Sequence, residues 1–313
     1  MKTISIVNHK GGCGKTTTVI NISAAFAALG YRVLLIDLDP QSHATIGLGI
    51  DPDSFDRTIY NAITDGRVHI SEVITRTAIE GLDLAPSNIF LASAELELSE
   101  TSGRLLHLTG ALTRVADEYD LCVIDCPPAL GLLTLNALVA STGVIAPVQV
   151  HYYPLEGLKQ LLKATAYLRK RFHPCSVEVL GLLLTFVQER TVLSKQIQRQ
   201  TRELFGNLVF DTVIHTNVRL IEAPSAGESV LTYAPDSRAA ADYSLLADEA
   251  IAHLASIGKE STLAPALSQR REHQPSGWPT TRRPAQPTTA RTSTPRPPRQ
   301  QGFAEKTRDK HAT

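Results

Sequence analysis

Cysteine is scarce in this chain of 313 residues, with four in all, at positions 13, 122, 126 and 175. That is too few and too scattered for a disulfide framework, and Cys122 and Cys126 have the wrong spacing for a zinc ribbon. The pair reads instead as small buried hydrophobes. No apolar run is long enough to span a bilayer, so no membrane partner is expected. Neither a heptad nor an internal repeat is visible. The first residues already form an apolar strand, so no signal peptide is expected and the expected compartment is the cytoplasm. Net charge is missing too, because 31 Lys and Arg balance 31 Asp and Glu.

That neutrality hides an asymmetry. Residues 264–313 carry ten basic side chains against three acidic ones, which leaves the first 263 residues acidic by the same seven charges. Eight of the eighteen prolines fall in those last fifty residues, among many Thr, Arg and Gln. So apolar-poor a segment cannot offset its ordering entropy, and disorder is expected there. The rest, with 43% hydrophobic residues over the whole chain, has an ordinary globular composition. The expected division is a folded domain at 1–260 and a disordered basic Pro/Thr/Arg-rich tail at 261–313.

The most informative stretch is residues 4–17, ISIVNHKGGCGKTT. Its first four residues read as a buried parallel strand. Gly11, Gly12 and Gly14 follow, with no Cβ to keep a ligand off the backbone. After Lys15, Thr16 and Thr17, the apolar residues Ile22, Ala25, Phe26 and Leu29 recur at helical spacing. A strand, a glycine loop, Lys-Thr and a helix make the context of a phosphate-binding loop, where backbone N–H groups and the helix dipole converge on a polyphosphate. Lys15 would reach the β- and γ-phosphates, and Thr16 would be a magnesium ligand. The general form G-x-x-x-x-G-K-[ST] is met imperfectly, since His9 stands where the first glycine belongs and a second lysine, Lys10, follows it.

Further strands are expected at 33–36, 82–85, 121–124, 144–148, 177–187 and 208–214. Helices are expected at 58–75, 96–116, 155–172 and 238–257, with a loop after Pro40. The last helix carries an apolar stripe of Ala239, Tyr243, Leu246, Ala250 and Leu254. This alternation predicts an α/β fold of P-loop NTPase type, a mostly parallel sheet with helices on both faces. In such sheets the ligand lies at the carboxyl ends of the strands, where the glycine loop, Asp39 and Asp125 all fall. Asp125 follows an apolar strand and is placed to hold magnesium directly or through water. Either Asp37 or Asp39 is placed to orient an attacking water, and spacing alone does not choose between them.

Several blocks together resemble the ParA/Soj family of partitioning ATPases within the ParA/MinD superfamily. They are the deviant Walker A loop Lys10–Thr17, Asp37-Leu38-Asp39-Pro40-Gln41, Asp125-Cys126-Pro127-Pro128 with residues 130–137, Pro147-Val148-Gln149, Tyr152-Tyr153 with Leu155-Glu156-Gly157-Leu158, and Asn217-Val218-Arg219-Leu220 through Ser225. The resemblance covers about residues 1–257. It implies that Asp39, not Asp37, serves hydrolysis beside the magnesium, and that ATP and Mg2+ are the cofactors. ATP-binding contacts would come from Lys10, Gly11, Gly12, Cys13, Gly14, Lys15, Thr16 and Thr17. Lys10 would cross the interface of an ATP-state homodimer to the partner's phosphates, so Lys10, Lys15, Asp39 and Asp125 form the implied catalytic set. The turn from Asp125 to Gly131 would sense the γ-phosphate. The resemblance also implies non-specific DNA binding in the ATP state, on the nucleoid, and a ParB-like partner that stimulates hydrolysis.

Where the family often has Pro-Arg before Asn-Val-Arg-Leu, this chain has His215-Thr216, which thins its basic surface. In the family that segment lies near the adenine, so His215 and Asn217 are candidate base contacts. Arg190 matches a family arginine that touches DNA, and Arg219 is a second candidate. The tail is no family feature, and its charge would add salt-sensitive DNA affinity if it binds. A MinD-like membrane-cycling regulator of division is the alternative reading, but it needs a C-terminal amphipathic helix that the prolines after Pro265 oppose. A metallochaperone of the same superfamily would need a Cys-x-x-Cys pair that Cys122 and Cys126 do not form.

Overall fold

The computed structural model describes residues 1–150, 155–172 and 175–257. The expected tail at 261–313 and the Tyr152-Tyr153 pair lie outside them. In chain order the elements are β1 (Lys2–Ile6), α1 (Lys15–Ala28), β2 (Val33–Asp37), α2 (His43–Gly47), α3 (Ile59–Thr64), β3 (Thr75–Arg76), β4 (Leu82–Ala85), α4 (Leu91–Ser99), α5 (His107–Thr113) and β5 (Leu121–Asp125). There follow α6 (Leu132–Ala140), β6 (Gly143–Gln149), α7 (Leu155–Arg171), β7 (Glu178–Val187), α8 (Val192–Phe205), β8 (Val209–His215), α9 (Arg219–Ser225), α10 (Val230–Tyr233) and α11 (Arg238–Ser256).

The strands form one sheet in the order β3-β4-β2-β5-β1-β6-β7-β8. Only the two-residue edge strand β3 runs antiparallel to its neighbour. Strands β2 and β5 are buried at every position, as a parallel sheet covered on both faces requires. Their side chains alternate between two cores. Leu34, Ile36, Cys122 and Ile124 pack with α3 to α7 on one face, while Val33, Leu35, Leu121 and Val123 pack with α1 and α11 on the other. Cys122 and Cys126 are both buried in the first core, and burial raises both thiols far above their usual range.

The expected stripe of α11 is buried throughout. That of α1 is buried at Ile22, Ala25 and Phe26, but Leu29 is 49% exposed, because the helix stops at Ala28 and turns. Two expected long helices are broken. Over 58–75 only α3 is α-helical, ended by the Asp65 side chain, which accepts the backbone N–H of Arg67 at 3.0 Å and so offers the chain an alternative to the helical bond. A 3-10 turn at Ile70–Glu72 and β3 complete the stretch. Over 96–116 the chain forms α4 and α5 instead, parted at Gly103, whose φ of +73° a helix does not admit. The expected loop after Pro40 contains α2, and α6, α8, α9 and α10 lie where no helix was expected.

The chain passes itself closely where the turn after α2 meets the turn after α9. Gly49 and Gly227 both have positive φ, and a Cβ on Gly227 would come within 2.6 Å of the Gly49 Cα. Gly227→Ala is therefore expected to cost about 2–4 kcal/mol, from left-handed strain plus a backbone clash. Denaturant titration checks this, and an unmoved midpoint would mean that the two turns do not abut.

Candidate nucleotide-binding site

Sheet register gathers the site from three adjacent strands. Asp37 at the end of β2 lies beside Asp125 at the end of β5, and Asp125 lies beside Ile6 at the end of β1, from which the glycine loop departs. The loop reaches α1 through Gly14, which caps the helix in the left-handed region at φ 90° with no side-chain cap. Gly12 also has positive φ, at 70°. The first turn of α1 holds Lys15, Thr16 and Thr17 and no acidic residue, so its backbone donors and dipole favour an anion. A Cβ on Gly11 would meet nothing within 4 Å, so this glycine answers to no packing within the chain and leaves its backbone open to a ligand.

Side chains fix the loop from below. The Thr185 hydroxyl donates to the Cys13 carbonyl at 2.9 Å, and the Cys13 thiol donates to the Lys10 carbonyl at 3.2 Å. Cys13 is buried, and its desolvation raises the thiol pKa despite Lys15 nearby. Lys15 is buried, 7% exposed as a residue, and its ammonium also donates to the Lys10 carbonyl, at 3.2 Å. Lys10 donates through Nζ to Gln149 Oε1 at 3.0 Å within its own chain, and through its backbone to Asn8 Oδ1. Asn8 in turn donates to the Pro147 carbonyl.

The three aspartates have different surroundings. Asp37 is spent on structure, because Oδ2 accepts from the backbone and hydroxyl of Thr45 at 2.8 and 2.7 Å and Oδ1 accepts from the Asp39 N–H at 3.2 Å. Burial pushes its pKa up to about 6 against the pull of Thr45. Asp39, two residues beyond β2, accepts from the Gln41 N–H at 3.0 Å. Asp125 is fully buried, and neither carboxylate oxygen closes a hydrogen bond of normal geometry. Desolvation and then the charge of Asp37 raise its pKa well above the ordinary carboxylate range, and the nearby Thr16 hydroxyl and Lys15 offset this only in part.

A buried carboxylate so poorly supplied with donors is relieved either by protonation or by a cation. No three His, Cys, Asp or Glu side chains converge as a metal cage among the described residues. The donors present therefore fit a hard ion that takes Asp125, the Thr16 hydroxyl, phosphate oxygens and water, as magnesium does.

Two non-glycine residues with positive φ border this site. Ser42, at φ 55°, begins α2 and donates its backbone N–H to the Asp39 carbonyl at 2.9 Å. Phe186, at φ 57°, lies in the irregular end of β7, where its ring would lie 3.8 Å from a Cβ on Gly14. Backbone strain of this kind clusters at ligand sites.

At the far side of the loop His215 ends β8. Arg238 Nη2 lies 2.8 Å from His215 Nε2, and His215 Nδ1 lies 2.9 Å from Asp242 Oδ2. Glu189 Oε1 is also 3.3 Å from Nε2. Both ring nitrogens are thus engaged within the chain, which leaves the ring face, not its hydrogen bonds, for a base. Asn217 Oδ1 accepts from the Arg219 N–H at 3.0 Å. Arg190 is exposed after β7, and Arg219, half-exposed, pairs with Glu222 at 2.7 Å. Both arginines follow neighbouring strand ends, since Val187 lies beside His215. Sequence reasoning did not single out Thr45, Asn8 or Thr185, whose tasks are set by long-range contacts with no local pattern.

Comparison with known proteins is consistent with this geometry. A family model described as an AAA domain matches residues 1–179. The chain is 45% identical to the sporulation initiation inhibitor protein Soj of Bacillus subtilis over 252 residues, covering 80% of this chain and 99% of that protein. It is 41% identical to the chromosome partitioning protein ParA of Myxococcus xanthus over 246 residues, covering 79% and 86% of the two chains. Among solved structures, cobyrinic acid a,c-diamide synthase of Mycobacterium smegmatis with bound ADP and magnesium is similar at a TM-score of 0.73 and 33% identity, covering 85% of this chain and all of that one.

The uncompensated Asp125 makes a stability prediction. Its folded-state pKa is raised, so the destabilisation is present at neutral pH, shrinks as pH falls towards the ordinary carboxyl value of 3.8, and vanishes only below it, where the carboxyl is neutral folded or unfolded. Asp125→Asn is expected to stabilise the nucleotide-free protein by about 1–3 kcal/mol at pH 7.5 and by far less at pH 4. Denaturation midpoints at the two pH values check it, and a destabilised variant at pH 7.5 would mean that the charge is already compensated.

Proposed function

The chain belongs to the ParA/Soj family of P-loop ATPases, and from that premise we propose that it is an ATP-driven DNA-partitioning switch. The observation that carries the reading is a glycine loop with two lysines at the carboxyl ends of the central strands, beside a buried carboxylate that closes no hydrogen bond of normal geometry. In this proposal Lys15 and the N–H groups of Gly11 to Thr17 hold the phosphates of ATP. Thr16 and Asp125 hold magnesium, with Asp39 beside it. The ion supplies charge neutralisation across the β- and γ-phosphates. Asp39 orients the attacking water. That assignment is supported by the commitment of both Asp37 oxygens to Thr45 and the Asp39 backbone.

Lys10 supplies the conditional element. For the cross-subunit role its side chain leaves Gln149 and reaches the phosphates bound by a second copy, so that hydrolysis depends on dimerisation as it does with an arginine finger given in trans. Asn217 is left as the polar base contact, with the His215 ring beside it. Arg190 and Arg219 present phosphate-binding charge on the surface beyond β7 and β8, and the ATP-state dimer binds DNA through them without reading sequence. A ParB-like partner accelerates hydrolysis and release. The basic segment at 261–313 is proposed as a separate tail that adds counterion-release affinity. No helix among the described residues is long and apolar enough to cross a membrane.

DNA binding measured with ATP, with ADP and with neither, for the full chain and for residues 1–260, tests the proposal. Tight binding is expected only with ATP. Removing the tail should shallow the slope of log affinity against log salt by about 0.9 for each phosphate that the tail had neutralised. Binding that ignores the nucleotide would sink the switch. Lys10→Ala is expected to bind ATP yet remain a monomer in sedimentation, and an ATP-dependent dimer of that variant would remove the cross-subunit role.

A further inference from the structure

Glu95 in α4 reaches the start of α6, where its Oε1 accepts the backbone N–H of Leu133 at 3.2 Å. Helix α6 has no side-chain cap at Gly131 and no acidic residue in its first turn. One of its orphan donors is therefore met, and its dipole complemented, by a different helix. Gly131 lies under the same carboxylate, so closely that a Cβ there would come within 2.2 Å of Glu95 Oε1. Its φ of −86° suits any residue. Glu95, not backbone conformation, is thus what a side chain at this position would meet.

Gly131 also ends the turn that begins directly after Asp125. Within that turn Pro127 and Pro128 restrict the backbone, and the Thr134 hydroxyl of α6 donates to the Ala129 carbonyl. The near end of the turn is fixed by β5, and the far end by Glu95. We propose that Glu95 is a positioning residue for the response to the third phosphate: it latches the far end of the 126–131 turn to α4, so that contact made near Asp125 moves the turn as a unit instead of dissipating in it. This rests on the ATPase reading above. A turn anchored at both ends has few arrangements, and the difference between ATP and ADP is then felt by α6 and α4.

The test uses the full chain with magnesium and compares ATP with ADP affinity, single-turnover hydrolysis and thermal stability. Glu95→Ala removes the latch. Gly131→Ala evicts it by a second route, because the atom its methyl meets is the end of a flexible side chain. Each is expected to reduce ATP-over-ADP discrimination and hydrolysis about fivefold or more while ADP affinity stays within about twofold. Glu95→Gln keeps the accepting oxygen and should stay within about twofold of the unaltered chain. The double variant Glu95→Ala with Gly131→Ala should be no worse than either single one, since both changes remove the same hydrogen bond.

Unaltered discrimination in Glu95→Ala, a Glu95→Gln variant as impaired as Glu95→Ala, or additive impairment in the double variant would each overturn the latch. An unaltered chain that binds no ATP would overturn the ATPase reading and the latch together, whereas an active chain with indifferent variants would overturn the latch alone.

Discussion

The structure turns on a carboxyl group buried where the chain only partly compensates its charge. The Asp125 carboxylate ends a fully buried strand, has no hydrogen-bond donor of normal geometry, and stands beside a second buried aspartate in the sheet register. An unpaired ion in that position destabilises a fold by several kcal/mol. Lys15 and Thr16 offset part of this from the neighbouring loop. What remains is an affinity for a cation, next to a glycine loop whose own donors call for an anion. A metal bridged to a polyphosphate answers both demands at once, which is why the loop and the carboxylate belong to one site.

The two aspartates of the DLDP segment divide their labour for a geometric reason. Alternation along β2 turns Asp37 inward, where Thr45 of α2 meets it with two hydrogen bonds. Asp39 lies past the end of the strand, held by a single backbone N–H from Gln41. The first aspartate therefore ties α2 to the end of β2, whereas the second is met by one backbone N–H. Strain at Ser42 and Phe186 borders the site's rim. Rims built this way exchange stability for a defined geometry at the ligand.

Much of this was legible from the residues. The strands at 33–36 and 121–124 are apolar runs and that at 82–85 is apolar but for Asp83, and all three lie where their pattern places them. Helix α11 followed its stripe, because a long helix packed on one face leaves a clear period. The short helices did not. Residues 58–75 are apolar enough for a helix, but the Asp65 side chain and Gly66 end it early. Residues 96–116 are broken at Gly103, where a single positive φ outweighs the propensity of its neighbours. The family resemblance makes His215 a candidate base contact, but no local pattern shows that its ring nitrogens meet Asp242 and Arg238, residues 23 or more positions away.

By itself the sequence determined the chemistry: a glycine loop with two lysines between strand and helix, carboxylates at strand ends, and hence a phosphate site on a parallel α/β sheet. Those features are local, written within a few residues of one another, and their physics needs no distant partner. Tertiary structure alone decided how each aspartate is held, what holds the loop from below, and what lies over Gly131. Each of those depends on groups brought together by strand order and helix packing. Contacts between Asp37 and Thr45, Thr185 and Cys13, or Glu95 and Leu133 leave no periodicity in the chain, because only the folded backbone sets their distance.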